Sequence, residues 1–433
     1  MPAKKTNKEV KAPKGMRDIL GDQYYGLQGF FEKAQEICEY YGLQPIETPT
    51  LEDEDVFLRG IGEGTDIVEK EIYALKTKGR EHLVMRPETT AGIMRAYIEK
   101  GMYTQPQPVM FYTYGPVYRH DKPQRGRYRQ FWQFGVEIMG STRAISDVMA
   151  IHLAHLILKE NGIKDIKMKI NSLGDTDSRK EYIKTLTAYY RKHVNKMGTT
   201  DRQRMKTAPL RILDSKDEAM KEINAEAPQS LSSLNTISKK HFKEVLEHLG
   251  HLGIDYEIDH TLVRGLDYYS HTVFEFFTET EKDKDGEDLK PLALGGGGRY
   301  DYLSKLIGGK KDVPAVGFAF GVDRIIEATT KDIKPKVKKK PKVYFIQLGQ
   351  EAKLKSLAII EELRQAKIPV AHSLSKDSLS QQLGIAEKIK VSQVLIFGQK
   401  EALEGTVIVR DMKTRSQENV KIEDLAEYIK KGK

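Results

Sequence analysis

The strongest constraint on the fold is a pair of extended segments joined by a basic loop, residues 114–140. In the second segment, FWQFGVEIM, every second residue belongs to an entirely apolar set, and the residues between them form a more polar set. One set is Trp132, Phe134, Val136 and Ile138, and the other is Phe131, Gln133, Gly135 and Glu137. A period of two places the sets on opposite faces of a β-strand. The first face requires a core. The second can form the floor of a polar pocket or can simply face water.

The loop that joins the two segments is strongly basic. Between Arg119 and Arg129 there are five basic residues and one acid, Asp121. Guanidinium groups suit phosphates because they donate two parallel hydrogen bonds. A basic hairpin beside a polar strand face could therefore hold a nucleotide and the end of a nucleic acid. An exposed, solvated hairpin is the alternative that this segment alone leaves open.

A lysine- and proline-rich segment, residues 331–342, is predicted to be a linker, because prolines and like charges resist compaction. It separates residues 15–330 from a C-terminal part, residues 343–433. In the C-terminal part, strand-like runs such as VYFIQLG alternate with helical runs such as AKLKSLAIIEELRQA. This alternation predicts an α/β domain with helices flanking an open sheet.

The N-terminal part is predicted to be an α+β domain built on an antiparallel sheet. Its extended runs lie around 108–119, 131–140, 271–277 and 313–320. A stripe of apolar residues between Leu27 and Tyr41 has helical spacing, and Gly42 can end that helix. Residues from about 176 to 250 are charged and helical with little strand signal, so we expect a helical insertion there.

The net charge of +9 lies almost entirely in two short segments. Residues 1–14, expected to be a flexible basic tail, carry five lysines and one glutamate, and residues 331–342 carry seven lysines and one aspartate. Together they account for +10, so the remainder of the chain nets −1. Such runs are commonly just solvated, and the alternative is attraction of a polyanion such as RNA.

Membrane insertion and secretion are not indicated. No apolar run approaches the roughly 20 residues that span a bilayer, and the N-terminus lacks the apolar core of a secretory signal. We therefore expect a cytoplasmic protein with no membrane partner. The single cysteine, Cys38, excludes an internal disulfide and a cysteine-based zinc cluster. No metal site of the protein's own is predicted.

Several segments together resemble the histidyl-tRNA synthetase family, which belongs to the class II aminoacyl-tRNA synthetases. The hairpin resembles motif 2, and AVGFAFGVDRII, 315–326, resembles motif 3. LVRGLDYYSHTVFEF, 262–276, and LALGGGGRYDYL, 292–303, resemble the two histidine-specific motifs. VMRPETTAG, 84–92, is similar to the amino-acid-binding loop, and PKGMRDIL with IETPTLED resembles the family's start and its dimer element. The C-terminal part is similar to an anticodon-binding domain.

The resemblance covers roughly residues 13–425, and its motifs are specific in combination. It implies a class II catalytic domain over 15–330 and an anticodon-binding domain over 343–433. It also implies ligation of histidine to its cognate tRNA through a histidyl-adenylate. ATP is then a substrate that arrives with Mg²⁺, and the active form is a homodimer.

For the nucleotide, the resemblance assigns six residues by position. Arg119 would bind the α-phosphate and the histidine carboxylate, and Arg264 would be the catalytic arginine that bridges the same two groups. Arg324 would bind the γ-phosphate beside a helix N-terminus. The remaining assignments are Phe131 stacked on adenine, Asp121 near the adenine amino group and Arg127 on phosphate oxygens. Relatives often have glutamate in place of Asp121.

For the amino acid, Glu88, Thr90 and Gln133 resemble the group that holds the α-ammonium. Glu137 and Tyr269 resemble the residues that recognise the imidazole, where a carboxylate and a phenol can each pair with one ring nitrogen. Tyr268 and Tyr300 resemble pocket walls. The run Gly295–Gly298 would allow close backbone approach to the substrate or would form a tight strand turn.

Three other functions share parts of this pattern. A regulatory paralogue of histidine biosynthesis has a similar core and binds histidine without catalysis, but it would favour loss of the Arg264 motif and of the C-terminal domain. A class II synthetase for proline, threonine or glycine lacks the RGLDYY and GGRYD segments. A pseudo-synthetase that senses uncharged tRNA would not need an intact set of three site arginines.

Overall fold

The computed structural model describes residues 9–62, 65–122, 126–279, 291–329, 331, 333–336 and 340–431. These residues form two compact units, divided between Pro335 and Lys336. The division falls inside the segment predicted to be a linker. Residues 1–8 of the predicted basic tail and residues 332 and 337–339 of the predicted linker lie outside the described residues. No described helix is both long and apolar enough to cross a membrane.

The first unit combines helices with a large mixed sheet. Its helices are α1 (Gly21–Tyr40), α2 (Glu54–Ile61), α3 (Thr90–Glu99), α4 (Ala144–Glu160), α5 (Thr176–Lys192), α6 (Thr199–Thr207), α7 (Glu218–Ala225), α8 (Thr236–His251), α9 (Leu303–Leu306) and α10 (Val322–Ala328). Its strands are β1 (Gln44–Pro45), β2 (Leu51–Asp53), β3 (Tyr73–Lys76), β4 (His82–Met85), β5 (Val109–Tyr118), β6 (Gln130–Met139), β7 (Lys167–Ser172), β8 (Glu257–Ile258), β9 (Ser270–Phe277), β10 (Ala293–Arg299) and β11 (Ala315–Gly321).

The large sheet has the strand order β1-β5-β6-β11-β10-β9-β7-β8. The six inner strands pair antiparallel, and only the short edge strands β1 and β8 pair parallel. The predicted α+β organisation on an antiparallel sheet is thus confirmed. The four predicted extended runs correspond to β5, β6, β9 and β11.

One face of the sheet is covered by α1 and α4, and the alternation in β6 explains why. Phe134, Val136 and Ile138 lie in the main apolar core together with residues of both helices, such as Phe30 of α1 and Ile151 of α4. The stripe predicted between Leu27 and Tyr41 is the buried side of α1, and Gly42 follows the helix with a positive φ of 80°. The opposite face of β6 is left for the site.

The run Gly295–Gly298 forms the middle of β10, between β9 and β11. The alternative prediction of a tight turn is therefore wrong. A Cβ at Gly297 would overlap the Gly317 carbonyl, and a Cβ at Gly296 would overlap the Phe274 carbonyl. Four residues without side chains carry no alternation signal, which is why the strand is hard to recognise in the sequence.

A smaller sheet with the order β2-β4-β3 precedes the site segments. A short π-helix, Ile67–Glu71, leads into β3, and the amide of His120 donates a hydrogen bond to the Glu71 carbonyl at 2.7 Å. This contact fixes the end of the π-helix next to the loop between β5 and β6.

The stretch from Thr176 to His251 consists of helices joined by short loops and contains no strand in the described structure, as predicted. Helices α5, α6 and α7 share a separate apolar core that includes Tyr182, Leu186 and Ile223. By contrast, α8 places Phe242, Val245 and Leu249 in the main core. The separately packed helical module, residues 176–227, is therefore shorter than the predicted 176–250.

The second unit is an α/β domain with one five-stranded sheet of order β13-β12-β14-β15-β16. Its strands are β12 (Val343–Gln347), β13 (Val370–His372), β14 (Gln393–Phe397), β15 (Thr406–Asp411) and β16 (Gln417–Lys421). Its helices are α11 (Gln350–Gln365), α12 (Leu379–Ile389), α13 (Gln399–Glu404) and α14 (Ile422–Lys431). Strand β12 pairs in parallel with β13 and β14, and strand β15 pairs antiparallel with β14 and β16. The predicted α/β fold is confirmed, with α13, β16 and α14 as elements that the sequence analysis did not identify.

Candidate active site

The floor of the candidate site is the polar face of β6. Glu137 lies at its centre and is only 1% exposed. Its carboxylate accepts a hydrogen bond from the Thr90 hydroxyl at 2.6 Å and another from the Tyr300 hydroxyl. A Cβ at Gly317 on the neighbouring β11 would overlap the Glu137 carboxylate, so the glycine makes room for it. The pocket interpretation of the alternating strand therefore describes this face better than exposure to water.

Burial controls the protonation of Glu137. Removal from water raises its pKa to about 8, although the hydrogen bonds from Thr90 and Tyr300 favour the charged form. A carboxyl group in this state is sensitive to any cation or hydrogen-bond donor that enters the pocket.

Glu88 lies where the chain enters α3. Its carboxylate accepts hydrogen bonds from the Thr90 amide at 2.5 Å and the Ala91 amide at 2.9 Å. It thereby pairs two backbone donors at the start of the helix, which have no intrahelical partner. Burial raises its pKa, so a positively charged ligand would stabilise the ionised form.

Three tyrosines enclose the same space. The rings of Tyr268 and Tyr269 are 4.8 Å apart between centroids, and those of Tyr268 and Tyr300 are 5.6 Å apart. All three rings are buried. Tyr300, expected only as a wall, is the phenol bonded to Glu137 here. Tyr269, expected to pair with the imidazole, lies within reach of the Arg264 charge, and its pairing with a ring nitrogen stays a prediction.

Two polar atoms that border this pocket are buried without a partner among the described residues, the Gln133 Oε1 and the Arg264 Nε. Buried polar atoms are nearly always hydrogen-bonded in folded proteins. This acceptor and this donor are therefore free to pair with polar groups of a ligand.

Arg264 lies in the loop between β8 and β9. Its Nη1 donates to the Glu275 carboxylate at 2.6 Å. Gly296 permits this position, because a Cβ there would lie 3.1 Å from the Arg264 Nη1. Glu275 was not among the predicted site residues. The alternation in SHTVFEFF, which buries Phe274 and Phe276 in the main core, is the signal that places Glu275 on the site face.

Arg119 lies at the end of β5. Its Nε donates to the Pro87 carbonyl at 2.9 Å, and its guanidinium carbon is 5.6 Å from the centre of the Phe131 ring. Arg119 thus stands between Glu88 and the aromatic ring expected to stack on a base. Burial raises the pKa of Glu71, a nearby carboxyl whose charge Arg119 favours, and the sequence carried no signal for it.

Arg324 is the third residue of α10. It donates from Nε to the Gly126 carbonyl and from Nη1 to the Ala293 carbonyl, both at 2.8 Å. Its neighbour Asp323, which was not predicted, accepts from the Arg17 guanidinium at 2.6 Å and from the Trp132 amide at 2.8 Å. These contacts attach the start of α10 to β6 and to the N-terminal segment.

Arg119 lies within electrostatic reach of both Arg264 and Arg324. Burial lowers the pKa of Arg119, and the Arg264 charge lowers it further. Burial lowers the pKa of Arg324, with further contributions from Arg127 and Arg119. Mutually repelling buried cations are stabilised by an anion between them, and a chain of phosphates fits this arrangement.

Two predicted nucleotide residues are paired with each other. Arg127 donates to the Asp121 carboxylate at 2.9 Å, and Arg129 donates to the Asp121 carbonyl at 3.2 Å. Asp121 therefore organises the loop in this structure. Residues 123–125 of the basic loop lie outside the described residues.

Sequence comparisons match almost the whole chain to one family of proteins. The family description "Histidyl-tRNA synthetase" matches residues 15–325, and "Anticodon binding domain" matches residues 342–432. The chain is 38% identical over 423 residues to the histidine–tRNA ligase of Caldicellulosiruptor saccharolyticus, covering 98% of this chain and 99% of that protein. It is 36% identical over 420 residues to that of Bacillus subtilis, covering 96% and 98%.

Comparison of structures gives the same result. The apo histidyl-tRNA synthetase of S. aureus superposes with a TM-score of 0.79 at 29% identity, covering 98% of this chain and 100% of that one. A Bacillus halodurans chain described as an ATP phosphoribosyltransferase regulatory subunit/histidyl-tRNA synthetase has a TM-score of 0.63 at 21% identity, covering 91% and 99%, and shows the fold alone. With the sequence matches, these results establish that the chain belongs to the histidyl-tRNA synthetase family.

Proposed function

We propose that this protein ligates L-histidine to its cognate tRNA in two steps, through a histidyl-adenylate formed from ATP. The observation that carries the proposal is a buried polar cluster around Glu137 and Glu88 next to Arg119, which itself lies within electrostatic reach of Arg264 and Arg324. The pocket suits a small zwitterion with a polar ring, and the arginines suit a carboxylate next to phosphates.

Histidine would bind with its ring towards Glu137. The Glu137 carboxylate accepts from one ring nitrogen, while a phenol, Tyr269 or Tyr300, pairs with the other. Its α-ammonium would be held by Glu88, Thr90 and Gln133, whose buried Oε1 has no hydrogen-bond partner among the described residues. Tyr268 closes the wall. A site built of such groups discriminates against apolar analogues, because they would leave its polar atoms unpaired.

ATP would lie along the arginines. Phe131 stacks on adenine, with Asp121 and Arg127 at the edge of the base and on the phosphates. Arg324 binds the γ-phosphate. Arg119 and Arg264 bind both the histidine carboxylate and the α-phosphate. Because Arg264 is fixed by Glu275, its charge is already in place when the reaction starts, which is the condition for effective electrostatic stabilisation.

In the first step, a carboxylate oxygen of histidine attacks the α-phosphorus, a new P–O bond forms, and pyrophosphate leaves. No proton is transferred to or from the arginines. In the second step, a ribose hydroxyl of the tRNA attacks the carbonyl carbon and releases its proton to solvent, the bond from that carbon to the phosphate oxygen breaks, and AMP leaves. Positioning and charge stabilisation therefore provide the catalysis.

Mg²⁺ would arrive on the ATP phosphates, because it prefers oxygen ligands and retains waters. Among the described residues, no three His, Cys, Asp or Glu side chains converge to form a metal site. Glu275 at this edge already pairs a carboxylate oxygen with Arg264, so phosphate oxygens and water would supply most of the ligands of the ion. When bound, the ion would neutralise charge on the leaving pyrophosphate.

The second unit would recognise the tRNA anticodon, as expected for its fold, and the active protein would be a homodimer. Residues 15–330 would constitute the catalytic domain and residues 331–342 the linker to the anticodon-binding domain at 343–433. A cytoplasmic location stays a prediction from the sequence.

The regulatory paralogue is the main alternative, since a chain with that description shares the fold. That function needs histidine binding but not Arg264 or an anticodon-binding domain. Arg264 is present and held by an ion pair, and residues 342–432 match the anticodon-binding family. These features favour the enzyme.

The deciding experiment is ATP–pyrophosphate exchange measured with each of the amino acids in turn, followed by charging of purified tRNA. Exchange should depend on histidine alone, and [¹⁴C]histidine should become acid-precipitable with its cognate tRNA. Histidine binding by calorimetry without any exchange would favour the regulatory paralogue. Exchange with proline, threonine or glycine would assign another class II synthetase.

A further inference from the structure

Arginines of the helical module, residues 176–227, hydrogen-bond to the loop that carries Arg264. Arg211 lies in a 3₁₀ turn, Pro209–Ile212, and its side chain is only 12% exposed. Its Nη1 donates to the Arg264 carbonyl at 3.2 Å. The backbone of the proposed catalytic arginine is thus held from outside the sheet.

A second arginine of the module holds the same loop three residues further on. Arg179, in the first turn of α5, donates from Nη2 to both the carboxylate of Asp267, at 2.5 Å, and its carbonyl, at 3.2 Å. The Asp267 amide donates to the Ile61 carbonyl at 2.9 Å. Residues 264–267, which precede Tyr268 and Tyr269, therefore lie between the module and the end of α2.

The module also contacts the other side of the site through Asp66. Arg204 donates to the Asp66 carboxylate at 2.8 Å, and the Arg211 Nη2 is 3.7 Å from the same oxygen. Asp66 immediately precedes the π-helix that ends at Glu71, beside Arg119. Arg211 thus contacts the segments that position two of the three site arginines.

We propose that Arg211 and Arg179 are positioning residues, through which the helical module sets the place of the Arg264 guanidinium. The head of Arg264 is fixed by Glu275 on β9, and its backbone is fixed by the module. Both restraints are needed, because the guanidinium lies between a substrate carboxylate and a phosphate, and displacement by about 1 Å can cost on the order of 100-fold in rate.

This inference rests on the proposed function and is tested with the full-length protein. Arg211→Ala should lower the rate of histidyl-adenylate formation about tenfold or more, while the Michaelis constants for histidine and ATP stay within about twofold. Arg211→Lys, which keeps a cation beside Asp66 and a donor for the Arg264 carbonyl, should recover part of the rate. The matched control is Arg202→Ala, which removes an exposed module arginine whose hydrogen bond within the described part of the chain goes to the Val194 carbonyl, at 3.1 Å.

A double variant separates positioning from general support of the fold. In an Arg264→Ala background, under single-turnover conditions, adding Arg211→Ala should cause a much smaller loss of rate than in the wild type, because most of its effect passes through Arg264. Equal losses in both backgrounds, or an unchanged rate in Arg211→Ala, would overturn the inference. Absence of histidine-dependent exchange in the wild-type protein would instead contradict the proposed function.

Discussion

The Tyr300 hydroxyl donates a hydrogen bond to the Glu137 carboxylate although the two residues are 163 positions apart in the chain. With the Thr90 hydroxyl on its other oxygen, Glu137 is held in one orientation inside a closed pocket. A buried carboxyl group held in this way can pair with a ring nitrogen without changing its orientation when the ligand binds.

Glu137→Gln is therefore expected to raise the Michaelis constant for histidine by about 10- to 100-fold, the usual effect of removing one charged hydrogen bond. The constant for ATP should change by less than about twofold, because Glu137 does not face the phosphates. Each is measured in pyrophosphate exchange at saturating co-substrate. Glu99→Gln, on the exposed side of α3, is the control. Equal changes for both substrates would mean that Glu137 supports the scaffold.

The same carboxyl should make stability depend on pH. Burial raises the pKa of Glu137 to about 8 from 4.5, so the folded state binds its proton more tightly than the unfolded state. Its contribution is complete below pH 4.5 and is lost as pH rises through 8. Between pH 4.5 and 8, each rise of one pH unit should lower the free energy of unfolding by up to roughly 1.4 kcal/mol through Glu137.

Urea unfolding of the ligand-free protein at several pH values measures this dependence. The difference in unfolding free energy between wild type and Glu137→Gln isolates the one group, because glutamine does not titrate. A difference that stays constant from pH 5 to pH 8.5 would show that Glu137 is ionised throughout.

Arg264→Ala should reduce histidine-dependent exchange by about 10²- to 10³-fold, the usual effect of removing one preorganised donor from a charged transition state. Arg264→Lys should fall between wild type and alanine, since it keeps the charge but not the forked donors. Thermal unfolding monitors the fold of each variant. Near-wild-type exchange in the alanine variant would exclude this residue from catalysis.

A buried ion pair behind the site should be important for stability. Arg299 and Asp147 are each at most 1% exposed and form a salt bridge, with His241 also contacting Asp147 at 3.3 Å. Burial tends to raise the pKa of Asp147, but the Arg299 charge outweighs it and holds that pKa well below its usual range. This contribution to stability is present above pH 3.8 and is lost as the pH falls.

Asp147→Asn leaves the Arg299 charge buried without its partner, which should cost about 3–5 kcal/mol of unfolding free energy. The control is Asp312→Asn, which breaks an exposed pair with Lys305 and should cost no more than about 1 kcal/mol. Both are measured by urea denaturation at pH 7. Similar small losses for the two variants would contradict the importance of the buried pair.

Removal of residues 343–433 should leave most of the histidine activation and abolish efficient tRNA charging. Every residue assigned to the site precedes Ile325, and the second unit has its own apolar cores. Exchange and charging are assayed in parallel, and light scattering reports whether the fragment is still a dimer. A dimeric fragment that charges tRNA at the full rate would refute the assignment of an anticodon-binding domain.

Local patterns in the sequence were sufficient for the elements with regular periodicity. The alternation in FWQFGVEIM predicted both faces of β6, and the stripe between Leu27 and Tyr41 predicted the buried side of α1. The resemblance then indicated Glu88, Arg119, Arg264 and Arg324, which the structure places around one pocket. These features depend on residues close in sequence or on motifs that can be compared directly.

Contacts between distant segments were decided only by the tertiary structure. The glycine run forms a central strand whose neighbouring strands leave no room for a Cβ. This close approach cannot be recognised in the sequence, because the neighbouring strands come from distant parts of the chain. Glu275, Glu71 and Asp323 were added to the site because the fold brings them to Arg264, Arg119 and Arg17. Arg179 and Arg211 look like ordinary surface charges in the sequence. Only the packing of the helical module against residues 264–267 gives them a partner, since hydrogen bonds depend on distance in space and not along the chain.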